Sequence, residues 1–129
     1  MVDPQGRTLA GARSRSTPDG PWLADEYPAR WRDWEPPSGT NTTLVAVLTN
    51  ARLNKVEASR LAQRTHNGLV YAIRPAHTSH DGDTAYAVSV GTRAVPFDLV
   101  ANTAVDCVAE AIYCAVQAAT SHAGIPGLG

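Results

Sequence analysis

The 129-residue chain predicts a mixed α/β (α+β) fold, on three observations. Two β-branched apolar runs, Thr42 to Thr49 and Thr84 to Val90, have the length and composition of strands. Each is followed by a longer stretch whose apolar residues recur at spacings of three and four, the period of a helix. Before Asn41 neither pattern appears, and proline and glycine turns interrupt the chain.

Residues 1–41 hold six of the nine prolines (Pro4, Pro18, Pro21, Pro28, Pro36, Pro37) and all three tryptophans. Asp3 to Gly6 and Thr17 to Gly20 are turn signals, and Pro36-Pro37-Ser38-Gly39 cannot continue a helix or a central strand. The segment is therefore expected to be mostly loop, with Trp22, Trp31 and Trp34 packed on a neighbouring surface rather than solvated. From Thr42 the apolar run shows little alternation, as in a strand buried on both faces.

Asn54 is the expected N-cap of a helix to about Ile73, with Ala58, Leu61, Ala62, Thr65, Leu69, Ala72 and Ile73 on one face. His66-Asn67-Gly68 interrupts that helix without shifting its period, so His66 reads as a surface or packing residue. Arg74-Pro75 ends it. Thr84 to Val90 places Tyr86, Val88 and Val90 on one face and smaller residues on the other. Asp98 is the expected cap of a helix to about Thr120, with a stripe of Val100, Ala104, Cys107, Val108, Ala111, Ala115 and Ala118. Cys107 and Cys114, two turns apart and so about 10 Å along the axis, are too distant for a disulfide and read as small core residues. The glycine-rich tail is expected to fray.

A single domain of this size buries somewhat under about 70% of its unfolded surface, enough for a core. Net charge is −1 with the arginines scattered, which argues against nucleic acid or an anionic membrane surface as partner. No uninterrupted apolar stretch approaches the roughly 18 residues of a membrane span, and the first residues lack the apolar centre of a secretory signal. The expected location is cytoplasmic.

Two places could carry chemistry. Asn41-Thr42-Thr43 stands where the loop-rich segment gives way to the first strand. These residues suit the opening of a strand, since Asn favours turns and Thr favours strands. They also suit a chain that cuts itself before Thr42: the freed α-amine, with a pKa of about 7.7 to 8.0, can take the proton from the threonine hydroxyl, so one cleavage creates nucleophile and base. The second place is His77-Thr78-Ser79-His80-Asp81-Gly82-Asp83, the densest polar cluster. It reads as a solvated glycine turn, as a metal site using His77, His80, Asp81 and Asp83, or as two carboxylates that orient a nucleophile on a neighbouring strand. His-x-x-His outside a helix lacks the second ligand pair of a tetrahedral site.

From Asn41 to Gly91 the sequence resembles the C-terminal part of the P1 family of self-processing peptidases and amidases, which includes D-aminopeptidase, β-peptidyl aminopeptidases and the nylon-oligomer (6-aminohexanoate-oligomer) hydrolase. The resemblance implies a four-layer α-β-β-α sandwich, like that of ornithine acetyltransferase, with the two helices in one outer layer. It implies autocleavage between Asn41 and Thr42, with Thr42 as nucleophile and α-amine base, and Asp81 and Asp83 as the paired acids that orient it. Residues 1–41 then correspond to the end of the large-subunit region and residues 42–129 to the small, nucleophile-bearing subunit. The implied activity is hydrolysis of a peptide or amide small-molecule substrate, with no cofactor and no metal.

In that family the preceding region supplies an active-site lysine and asparagine, the oxyanion donors and most of the inner sheets. Lys55, the only lysine, follows the cut and cannot take that role. The chain thus corresponds to a C-terminal portion, expected to be inactive alone and to need the large-subunit region or copies of itself. Two alternatives accompany this reading: an acyl transferase of the ornithine acetyltransferase type, and a non-catalytic fragment that pairs with a partner chain.

Overall fold

A computed structural model of the protein describes residues 1–12, 20, 22, 25 and 41–128. Trp31, Trp34 and the Pro36-Pro37 turn lie outside the described residues, and Trp22 is half-buried. The main elements follow in the order β1 (Leu44–Ala51), α1 (Lys55–Ala72), β2 (Thr84–Arg93) and α2 (Phe97–Gln117). The two strands pair in parallel, a geometry that needs a long crossover, and α1 supplies it. Leu44 lies opposite Thr84, Ala46 opposite Tyr86 and Leu48 opposite Val88, so residues of like parity share a face.

Both helices cover one face only. Val45 and Leu69 meet Val108 in one buried cluster, and Leu61, Ala101 and Ala104 form a second, with Val47 packed against both. α1 starts as expected: the Asn54 side chain accepts from Glu57 N–H at 2.9 Å and the Glu57 carboxylate accepts from Asn54 N–H at 2.9 Å. This reciprocal capping box satisfies two otherwise orphaned donors. The helices approach closely at Gly68, where a Cβ would stand 2.6 Å from the Val105 carbonyl oxygen. The Gly68 that looked like an interruption is a packing contact.

α2 departs from expectation at its start and in its orientation. Pro96 is the residue at its N-cap, with φ −58°, and Asp98 falls in the first turn without a side-chain capping bond. Asp98 faces the positive end of the helix dipole there, which explains the signal it gives in the sequence. The buried face is Ala101, Ala104, Val105, Val108 and Ala109, so the expected stripe is rotated. Cys107 and Cys114 are exposed free thiols, not core residues, because they fall beside that face. Cys107, Ala111 and Ala115 instead line an open groove of about 600 Å³ between α2 and β1. By length and composition α2, with mean hydropathy 1.5, passes for a membrane-crossing helix, yet it packs on α1 through its small residues.

β1 is likewise covered on one face, not two. Val45 and Ala51 are buried, whereas Leu44 and Leu48 on the opposite face are each 71% exposed. The first residues of the chain add a separate clasp at the end of α1. Val2, 5% exposed, donates its N–H to the Ala72 carbonyl at 2.8 Å. The turn behind it closes on Asp3, whose carboxylate accepts from the Gln5 and Arg7 amides at 2.9 and 2.8 Å and from Arg7 Nε at 2.6 Å.

Candidate active site

Parallel pairing brings the starts of β1 and β2 to the same end of the sheet, and the pairing continues upstream of both strands as a bridge between Asn41 and Asp81. Asn41 N–H donates to the His80 carbonyl at 3.3 Å, and the Asn41 carbonyl accepts from Gly82 N–H at 2.8 Å. Two residues on, the Thr43 carbonyl accepts from Thr84 N–H at 3.0 Å. The peptide bond between Asn41 and Thr42 is thus held between two backbone bonds, with its carbonyl already polarised by an N–H donor. Thr42 is exposed at the rim.

Gly82 matters for a second reason. A Cβ at that position would stand 2.8 Å from Thr42 Oγ1, so glycine leaves the hydroxyl its space. The sequence shows this residue only as a turn glycine between two acids. Its contact with Thr42 follows from the strand register, which no local pattern reveals.

The two acids flanking it are used differently. Asp81 closes its own loop, accepting from Thr78 N–H at 2.7 Å and donating its amide to the Thr78 carbonyl at 3.1 Å. Asp83 reaches across to β1: one carboxylate oxygen accepts from Thr43 N–H at 2.8 Å. The other oxygen lies 3.1 Å from His77 Nδ1 and 3.3 Å from the His77 amide. Its side chain is only 7% exposed. Burial by itself pushes the Asp83 pKa up, but the Thr43 and His77 amides, the Thr43 side chain and the His77 ring outweigh it and hold the carboxyl below its ordinary value. Among the described residues no hydrogen bond joins either carboxylate directly to Thr42. Thr42 is instead bracketed, by Gly82 at its hydroxyl and by Asp83 through the next amide.

Two histidines that the sequence left apart meet here. His77, in the left-handed region at φ 57°, places its Nε2 3.3 Å from Nδ1 of His66 on α1. Among the described residues no group of three or more His, Cys, Asp or Glu side chains converges as for a metal ion.

The model of peptidase family S58 matches residues 4–128. The chain belongs to that family. It is 40% identical over 106 residues to an uncharacterized aminopeptidase of Mycobacterium leprae, a match that covers 70% of this chain and 29% of that protein. An uncharacterized aminopeptidase of Mycobacterium tuberculosis is 37% identical over 101 residues, covering 67% of the chain and 29% of the relative. A 6-aminohexanoate-oligomer endohydrolase of Paenarthrobacter ureafaciens is 32% identical over 91 residues, covering 69% and 26%. The chain therefore spans about three tenths of the length of the curated relatives it matches. Family S58 and these relatives establish an amide-hydrolase family, of the type that includes D-aminopeptidase and the nylon-oligomer hydrolase.

Proposed function

We propose that this chain is the nucleophile-bearing portion of an amide-bond hydrolase that is freed by cleavage between Asn41 and Thr42. The observation that carries this reading is the bond from Gly82 N–H to the Asn41 carbonyl, made beside the Thr42 hydroxyl. In the cleavage, Thr42 Oγ bonds to the Asn41 carbonyl carbon while the bond from that carbon to Thr42 N breaks, and the hydroxyl proton passes to the nitrogen. Gly82 N–H faces the oxygen on which negative charge grows, the position where a fixed donor lowers a barrier most. Water then adds its hydroxide to the acyl carbon and a proton to Oγ, freeing Thr42 as a chain start.

The mature residue repeats this chemistry on a substrate amide. Its α-amine removes the Oγ proton and later passes it to the leaving amine, and water releases the acid from the acyl ester. Asp83 holds the adjoining backbone, and Asp81 holds the loop that carries Gly82. The names of the relatives point to aminopeptidase or 6-aminohexanoate-oligomer hydrolase substrates. A partner layer completes the unit: the apolar sheet face opposite the helices, with Tyr86 59% and Val90 77% exposed, fits the inner face of a four-layer sandwich. The same face favours a second reading, in which the chain acts only as an assembly partner.

The test joins this chain to the preceding region of the Mycobacterium leprae relative. Intact-mass analysis is expected to show a small subunit beginning at Thr42, absent from Thr42→Ala. A folded, assembled sample that stays full-length would count against the hydrolase reading and favour the second.

A further inference from the structure

We infer that His77 and His66 are positioning residues for Thr42: they orient the Asp83 carboxylate through a His66···His77···Asp83 relay, and Asp83 fixes the amide next to the nucleophile. This deepens the reading of Thr42 as nucleophile and rests on it. Four contacts make the relay, two of them side by side on one Asp83 oxygen. The Thr43 amide donates to one Asp83 oxygen at 2.8 Å, the other faces His77 Nδ1 at 3.1 Å and the His77 amide at 3.3 Å, and His77 Nε2 meets His66 Nδ1 at 3.3 Å. The last step anchors a loop residue to α1, whose own start is fixed by a double cap.

The chemistry of imidazole gives the series a direction. In a neutral histidine one ring nitrogen donates and the other accepts, and the bond made by one sets the role of the other. When His66 Nδ1–H donates to His77 Nε2, His77 must carry its proton on Nδ1, the nitrogen that faces Asp83. When His77 is protonated it donates from both nitrogens, and His66 accepts. An ionised carboxylate only accepts, so Asp83 facing His77 Nδ1 at 3.1 Å calls for the hydrogen on that nitrogen, and in the neutral pair His77 Nε2 then accepts from His66 Nδ1. His66 supplies the donor that this His77 tautomer needs at Nε2, and the tautomer holds the carboxylate. The backbone fits the same role. At φ 57° His77 occupies a region that L residues other than Asn, Asp and His rarely enter, and this turns both its amide and its ring toward one Asp83 oxygen.

Two measurements test the relay. Ring ¹⁵N spectra of the histidine-labelled full chain, read above the ordinary histidine pKa of about 6.5, report the tautomer directly; a self-associating sample is read in the sedimented state. The expected result is His77 protonated at Nδ1 in the wild type and a mixed tautomer population in His66→Ala. A His77 protonated at Nε2, or populations unchanged by His66→Ala, would overturn the proposal. In the chimera with the preceding region, His77→Ala is expected to slow self-cleavage about 10-fold to 100-fold, the scale of an ångström's misplacement at a reacting group. His77→Asn, which tolerates the left-handed conformation and keeps a donor for Asp83, is expected to recover most of that loss. Rates at the wild-type level in His77→Ala would also overturn it. Cleavage that survives Thr42→Ala would instead remove the underlying reading while leaving the ring spectra to stand or fall separately.

Discussion

The two faces of the β1–β2 sheet are built from different side chains. Beneath the helices lie Val45, Val47, Ala85 and Ala87, while Leu44, Leu48, Tyr86, Val88 and Val90 point away from them. Among the described residues the larger side chains therefore sit on the exposed face. A sheet facing water on one side normally alternates apolar with polar residues, and this one does not. The covered face is finished within the chain by small residues that let α1 and α2 approach. The open face carries the large apolar residues that the proposed partner layer would cover.

The sharpest way to break this contrast is to remove a side chain from the covered face. Leu69 is fully buried and packs with Val45 and Val108. Leu69→Ala is expected to cost about 2–5 kcal/mol by urea denaturation, the range for truncating a buried leucine. A loss below about 1 kcal/mol would mean that the helices and sheet do not share a core.

The next effect belongs to the sheet end and is catalytic. In the chimera, Gly82→Ala places a methyl where Thr42 Oγ1 has 2.8 Å of space, so the hydroxyl must turn away from the Asn41 carbonyl. Self-cleavage is expected to fall about 100-fold, the cost of misplacing a reacting group. Gly82 is exposed, so the thermal midpoint should barely move. An unchanged cleavage rate would detach Gly82 from the reaction.

What the sequence makes legible follows the range of each signal. Asn54 with Glu57 three residues on is a local signal, and the capping box is there. Asn54→Ala is accordingly expected to cost about 1 kcal/mol in the same urea experiment. The unalternating apolar run of β1 predicts burial on both faces, but only the face of Val45 and Ala51 is buried, because Leu44 and Leu48 are apolar without being covered. Cys107 falls outside the packed face because on an alanine-rich helix nearly every face looks apolar, and the close approach of Gly68 to Val105 decides which one packs. The amide-hydrolase family was legible in the stretch from Asn41 to Gly91. The contact of His66 with His77 was not, because it depends on a loop turning through positive φ.

Acid should separate the sheet end from the helix-covered core. The Asp83 pKa is lowered in the fold, so its contribution is fully present above the unfolded carboxylate value of about 3.9 and is lost as pH falls through the lower folded value. Protection of the Thr43 amide against hydrogen exchange, corrected for the intrinsic pH dependence, should hold through mildly acidic conditions and drop only below that range. Leu69 amide protection should outlast it. Loss of Thr43 protection already near neutral pH would place its control in another group.

The smallest expected change in stability comes from the open face. Leu48 is 71% exposed, so Leu48→Ser removes little buried area and should shift stability of the full chain by no more than about 0.5 kcal/mol. Its effect should appear in association instead. Leu48 lies opposite Val88 in the middle of the bare face, where a polar residue interrupts the apolar patch. Sedimentation should show less self-association than in the wild type, and hydrophobic dye binding should fall, while the chimera with the preceding region should assemble less well. If Leu48→Ser instead destabilises the chain as much as Leu69→Ala, the open face is already covered within this chain, and the contrast between the two faces fails.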